Sequence, residues 1–323
     1  MARTCPGISA LVVVAVAACG GTSTADLLPT TDHEPGAGKR RAPAASEQAP
    51  PADAGAYAAP VDAGAPPPTP SCTLDTRTVY VEAGKKIESI TAYGKYWVRV
   101  LASDGTAVES DGFPREVDAE PKFTATTGPC HGRTGCVLDT RVVYFDGAAK
   151  VESITAYGNY YVWSFDAQGN PVPAPSFPQA LPETPAFAAG PCALAVSTVP
   201  CVLDTRTLEM TAAGKIEAIT ARGRWFSHVV RPDLGRIALP SNGILLEDVP
   251  RFAAGPCKTQ PSGACTFDTR TVYTDLDGIR TEEVTARGRL WAYRLSATDA
   301  VVATVADGVP LDGIARFDGP CAH

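Results

Sequence analysis

Cys72-Thr-Leu-Asp-Thr-Arg77 returns as Cys136-Val-Leu-Asp-Thr-Arg141, Cys201-Val-Leu-Asp-Thr-Arg206 and Cys265-Thr-Phe-Asp-Thr-Arg270, with starting cysteines 64, 65 and 64 residues apart. Self-similarity at a fixed period is the signature of a repeat architecture. Each copy ends on Gly-Pro-Cys, which bounds the units at 72–130, 136–192, 201–257 and 265–321. Within them lie ITAYG at 90–94 and 154–158, ITARG at 219–223 and VTARG at 284–288. Three places after each motif's Gly stands an aromatic residue, Trp97, Tyr161, Phe226 or Trp291. An aromatic held at one repeat position is expected in the core of each unit. The residue before that Gly is Tyr93 or Tyr157 in the first pair of units and Arg222 or Arg287 in the second, so a duplicated duplication accounts for the chain.

Each unit alternates with period two, as in Tyr96/Val98/Val100 against Trp97/Arg99/Leu101. Strands are predicted at 73–82, 86–93 and 95–102, then a turn at Ser103-Asp104-Gly105 and a short fourth strand at 106–109, with equivalents in the other units. Capped segments of helical period are absent, and one helical turn is expected near Leu245 to Val249. With 29 Gly, 29 Pro and only 7% aromatics, the composition agrees: the class is all-β.

The order Asp75, Gly94-Lys95-Tyr96-Trp97, Gly112-Phe113-Pro114 resembles a blade of the hemopexin-like β-propellers. Asp139, Gly158 to Tyr161 and Phe177-Pro178 follow it less closely, and the third and fourth units lack the aromatic-Pro pair. The resemblance implies that the repeats close into a four-bladed propeller. The competing architecture is a row of four small β domains. Units of 57 to 59 residues are near the lower limit for burying their own core, where a covalent staple helps.

Ten cysteines occur without a CxxC pair of zinc-site spacing, which points to disulfides. Repeat symmetry leaves two pairings for eight of them. The preferred one is first-to-last within each unit: Cys72–Cys130, Cys136–Cys192, Cys201–Cys257 and Cys265–Cys321. The other links Cys130 to Cys136, Cys192 to Cys201 and Cys257 to Cys265, with Cys72 to Cys321 closing a ring.

Ahead of the repeats, Arg3 and an apolar run from Ile8 to Ala18 read as a signal peptide over 1–18, too short to span a bilayer. Val16-Ala17-Ala18-Cys19-Gly20 resembles the lipobox of bacterial lipoproteins. That resemblance implies a lipid anchor on Cys19 and, with Gly at position 20, sorting to the outer membrane, facing the periplasm or the cell surface. Residues 20–71 hold 13 Ala, 10 Pro and 6 Gly with almost no large apolar side chains, so 19–71 is expected to be a disordered Pro/Ala tether. Its reach lies between roughly 40 Å as a coil and roughly 160 Å fully extended.

A net charge of −7 argues against a nucleic-acid binder. Asp and Arg of each Asp-Thr-Arg share one strand face and are expected to pair with each other or with a neighbouring strand. In a closed propeller Asp75, Arg77, Asp139, Arg141, Asp204, Arg206, Asp268 and Arg270 would line the axis and could bind an ion or small anion. Tyr93, Tyr157, Arg222 and Arg287 vary while their neighbours stay fixed, which marks them as an exposed contact surface. His33, His131, His228 and His323 never recur between units, Asp275-Leu276-Asp277-Gly278 lacks the later Glu of a calcium loop, and no phosphate loop or GxSxG is present. These features predict no catalytic residue, metal or cofactor, with a hydrolase as a residual reading. The expected function is a tethered binding or adhesion module for a protein or glycan outside the membrane. The alternative is a structural envelope component packing with other outer-membrane or periplasmic proteins.

Overall fold

The computed structural model describes residues 71–322 apart from 103–104, 195–199, 212–213, 232–234 and 275–277. The signal segment, Cys19, the tether, His33, His323 and Asp275-Leu276-Asp277 lie outside the described residues, as do Ser103 and Asp104 of the predicted turn. Alternating sequence gives antiparallel sheets, one per repeat, arranged as a four-bladed propeller. In blade 1 the inner strand Thr76–Glu82 pairs with Lys85–Ala92, which pairs with Lys95–Leu101. Ala107–Glu109 and Arg115–Glu116 add the outer edge. The inner strands of the other blades are Thr140–Asp146, Thr205–Thr211 and Thr269–Thr274.

Along an inner strand the side chains alternate between the two neighbouring blades. Arg77 reaches back to Thr271 of blade 4, whereas the Thr78 hydroxyl donates forward to the Arg141 carbonyl of blade 2. The hydrophobic cores accordingly sit between blades, not within them. Val117 and Phe123 of the first repeat pack with Leu138, Ile154 and Tyr161 of the second. Leu181 and Phe187 pack with Leu203, Ile219 and Phe226 of the third, and Leu246 and Phe252 with Phe267, Val284 and Trp291 of the fourth. Leu311 and Phe317 return to Leu74, Ile90 and Trp97 of the first, which closes the ring. Phe123, Phe187, Phe252 and Phe317 are each 0% exposed.

This placement overturns the preferred disulfide pairing. The end of each repeat lies beneath the next blade, beside that blade's first cysteine. The bonds are Cys130–Cys136, Cys192–Cys201 and Cys257–Cys265, with Cys72–Cys321 spanning 249 residues. Cys72–Cys130 and its equivalents do not form, because no repeat has a private core to staple.

The helical turn expected at Leu245 to Val249 is a 3-10 turn, Leu246–Asp248, followed by a short α-helix, Pro250–Ala254. It recurs in the other repeats, as at Val117–Ala119 with Pro121–Thr124 and at Leu181–Glu183 with Pro185–Ala188. Proline at the first helical position fixes the start, and the two turns aim the buried Phe at the next blade.

Candidate functional site

The Asp-Thr-Arg motifs of all four blades meet at the axis around a cavity of about 10 Å³, room for about one water-sized particle. The arginine side chains are engaged between blades. Each arginine pairs with a glutamate on the second strand of its own blade: Arg77 with Glu88 at 2.7 Å, Arg141 with Glu152 at 2.5 Å, Arg206 with Glu217 at 2.8 Å and Arg270 with Glu282 at 2.6 Å. Each also crosses to the preceding blade. Arg77 donates to Thr271 at 2.8 Å, Arg206 to Ser153 at 2.6 Å, Arg270 to Thr207 at 2.6 Å, and Arg141 to Ser89. Arg141 and Arg206 further reach the hydroxyls of Tyr96 and Tyr160, both at 3.2 Å, and Arg270 stacks 4.3 Å from the Trp225 ring. Arg77 instead meets Glu283 at 2.5 Å.

The arginines therefore form a closed ring of inter-blade bolts, with all four side chains buried. Second cations complete three of these glutamates, Lys122 on Glu152 at 2.8 Å, Arg236 on Glu217 at 2.7 Å and Arg251 on Glu282 at 2.5 Å, and Arg316 joins Arg77 on Glu283 at 2.9 Å. Burial raises the Glu152 carboxyl, but the Arg141 and Lys122 charges overcome it and hold the group at about 2. The same balance, set by Arg206 and Arg236, holds Glu217 at about 2. The motif reading expected Asp to be one partner for Arg and did not name these glutamates. Their signal was present, since Glu88, Glu152, Glu217 and Glu282 each stand two residues before the ITA or VTA triplet.

Asp75, Asp139, Asp204 and Asp268 turn instead toward the hairpin between the second and third strands. The Arg222 backbone N–H donates to Asp204 at 3.1 Å, and Tyr93, Tyr157 and Arg287 offer theirs to the matching carboxyls. Burial pushes all four carboxyls up to about 6 against the pull of those donors. The held residues are the predicted contact positions. Tyr93, Tyr157, Arg222 and Arg287 have φ of 50°, 54°, 52° and 51°, a left-handed conformation that ordinarily selects Gly, Asn or Asp. All four are exposed around one end of the axis, Tyr93 at 45% and Tyr157 at 37%. The tyrosine hydroxyls accept from the backbone N–H of Thr73 and Val137, at 2.8 and 2.9 Å, and so brace the start of their blades as well.

A second ring of links closes the opposite end. Lys150 of blade 2 lies over Tyr80 of blade 1 at 4.9 Å, Lys215 of blade 3 over Tyr144 at 4.8 Å, and Lys86 of blade 1 over Tyr273 of blade 4 at 5.0 Å. Blade 3 has Glu209 in the tyrosine position, and blade 4 answers with Arg280 at 2.7 Å.

Trp97, Tyr161, Phe226 and Trp291 are buried in the inter-blade cores. His131 lies near the Thr124 carbonyl at 3.3 Å, and His228 is buried opposite Glu217, burial lowering its pKa. No three His, Cys, Asp or Glu side chains converge as a metal site among the described residues.

The sequence matches no family model and no curated protein. The fold is similar to solved propellers. One is a hemopexin-fold protein, CP4 from cow pea, at 10% identity and TM-score 0.52, covering 76% of this chain and 97% of that one. Another is LS24, a seed albumin from Lathyrus sativus, at 9% identity and TM-score 0.51, covering 79% and 100%. At such identities the likeness shows the four-bladed fold alone.

Proposed function

We propose that this chain is a cell-envelope lipoprotein that presents its propeller on a Pro/Ala tether as a non-catalytic module binding a protein or glycan. The observation that carries this reading is the end face bearing Tyr93, Tyr157, Arg222 and Arg287. Non-glycine residues in the left-handed region cost of order 1–3 kcal/mol each and persist where something selects the side chain. Here the strain recurs in every blade at one exposed position, while the axial arginines are consumed in holding blades together. Tyr and Arg are the side chains most often found at binding hot spots. A long tether extends reach with little loss of affinity. The lipobox residues 16–20 support anchoring through Cys19 and placement at the outer membrane.

The test takes the 72–323 fragment across glycan and envelope-protein panels. Binding that falls when Arg222 and Arg287 become Gly, with the fold intact, supports the module. A fragment that binds nothing, from a protein recovered only in a periplasmic complex, sinks it in favour of a structural envelope component. Anchoring is checked separately by palmitate labelling, which Cys19→Ala should abolish.

A further inference from the structure

At the end of the axis opposite the tyrosine–arginine face, the inner strands splay into a funnel of about 860 Å³. It is blind. Its neck narrows at Val79, Val143, Leu208 and Val272 to a gap of about 30 Å³ backed by the arginine ring. Binding pockets for small molecules run from roughly 300 to 1,000 Å³ and pair an apolar lining with a few polar groups. The aliphatic ring forms the floor, and Tyr80, Tyr144 and Tyr273 line the wall.

Of the charges that line the funnel, Arg280 lies between Glu209 and Asp299, and Lys86 lies over the Tyr273 ring at 5.0 Å; against the lining Tyr80 and Tyr144, Lys150 is held by Glu82 at 2.8 Å and Lys215 by Asp146 at 3.1 Å. A charged ligand would have to break such a pair, so the mouth discriminates against charge. Apolar side chains crowd the same mouth in the open: Val81 is 38% exposed, Met210 59% and Val302 66%. Blade 3 breaks the repeat here with Leu208-Glu209-Met210 where blade 1 has Val79-Tyr80-Val81. The larger, adaptable Met makes the funnel asymmetric, as an asymmetric guest requires.

We propose that this funnel binds an uncharged, predominantly apolar small molecule. The site is separate from the end face, so its loss would leave protein or glycan binding there untouched.

The test titrates the full chain with N-phenyl-1-naphthylamine, an uncharged fluorophore that brightens in apolar surroundings. Saturable binding with one probe per chain is expected. It should weaken at least tenfold in Leu208→Arg and severalfold in Met210→Glu. Met210 is solvent-exposed, so its variant keeps the fold and remains readable if Leu208→Arg does not fold. The anionic analogue 1-anilinonaphthalene-8-sulfonate should bind at least tenfold more weakly. Equal binding in wild type and Met210→Glu, no saturable binding in wild type, or equal affinity for the two probes would each overturn the proposal.

Discussion

Replacing Cys72 and Cys321 together by Ala opens a covalent loop of 249 residues, whereas the same change at Cys130 and Cys136 opens one of 6. If a disulfide acts by restricting the unfolded chain, its contribution grows with the logarithm of loop length, giving about 5.5 kcal/mol for the long loop and about 2.2 kcal/mol for the short one. The native ring should survive the first change. Arg77 still reaches Thr271 and Glu283, and Leu311 and Phe317 still pack on Ile90 and Trp97. Ala adds no polar atom to Cys130 or Cys136, each 1% exposed, so the comparison is not confounded by buried hydroxyls. Guanidinium unfolding of both variants should show a difference of about 3 kcal/mol, and thermal unfolding a further drop of about 6–12 °C for the long-loop variant. Equal losses would refute the chain-entropy argument. A long-loop variant that unfolds in two transitions would refute the assumption that the seam holds without its disulfide.

Removing one partner of the bolt, in Arg141→Met or Glu152→Gln, leaves a buried charge and should cost about 3–5 kcal/mol in chemical unfolding, with the double variant losing less than the sum. The axial Asp carboxyls lie near 6, above their unfolded value of 3.8, so the folded state holds more protons and their contribution to stability falls as pH rises from about 4 to about 6. Glu152, Glu217 and Glu283 lie near 2, below 4.5, so their contribution is lost as pH falls from about 4.5 toward 2. Stability should therefore peak between those limbs, and Asp75→Asn should flatten the upper one; a steady rise from pH 4 to 7 would contradict the assignment. Arg222→Gly and Arg287→Gly relieve the left-handed strain and should each raise stability by about 0.5–1 kcal/mol while weakening binding. Loss of stability in both would make the arginines structural.

The repeat period, the alternation and the aromatic at Trp97 and its equivalents were enough to read the sheets, because a strand's two-residue rhythm is a local property. What joins the sheets is not local. Arg77 and Thr271 are far apart in the chain and adjacent in space, and nothing in the residues around either one says which blade it faces. The disulfides were missed for the same reason: pairing first with last assumes a core inside each repeat, while Phe123 belongs to the core of its neighbour. The glutamates recur at one repeat position, which in a sequence is indistinguishable from an ordinary strand charge. Only burial against Arg and Lys gives them their role. The proposed contact positions stand out by their variability, and the structure adds what variability cannot show, a backbone conformation that disfavours the very side chains placed there.

Because every core is shared between consecutive blades, and the joint between the fourth and the first is built like the other three, the natural ends of the propeller occupy one seam among equals. A circular permutant that joins residues 321 and 72 through a short peptide and opens between Cys130 and Cys136 would move the seam by one blade, with its new ends still held by a disulfide. The ring thus has no architecturally first blade, and the seam could sit at any of its four joints.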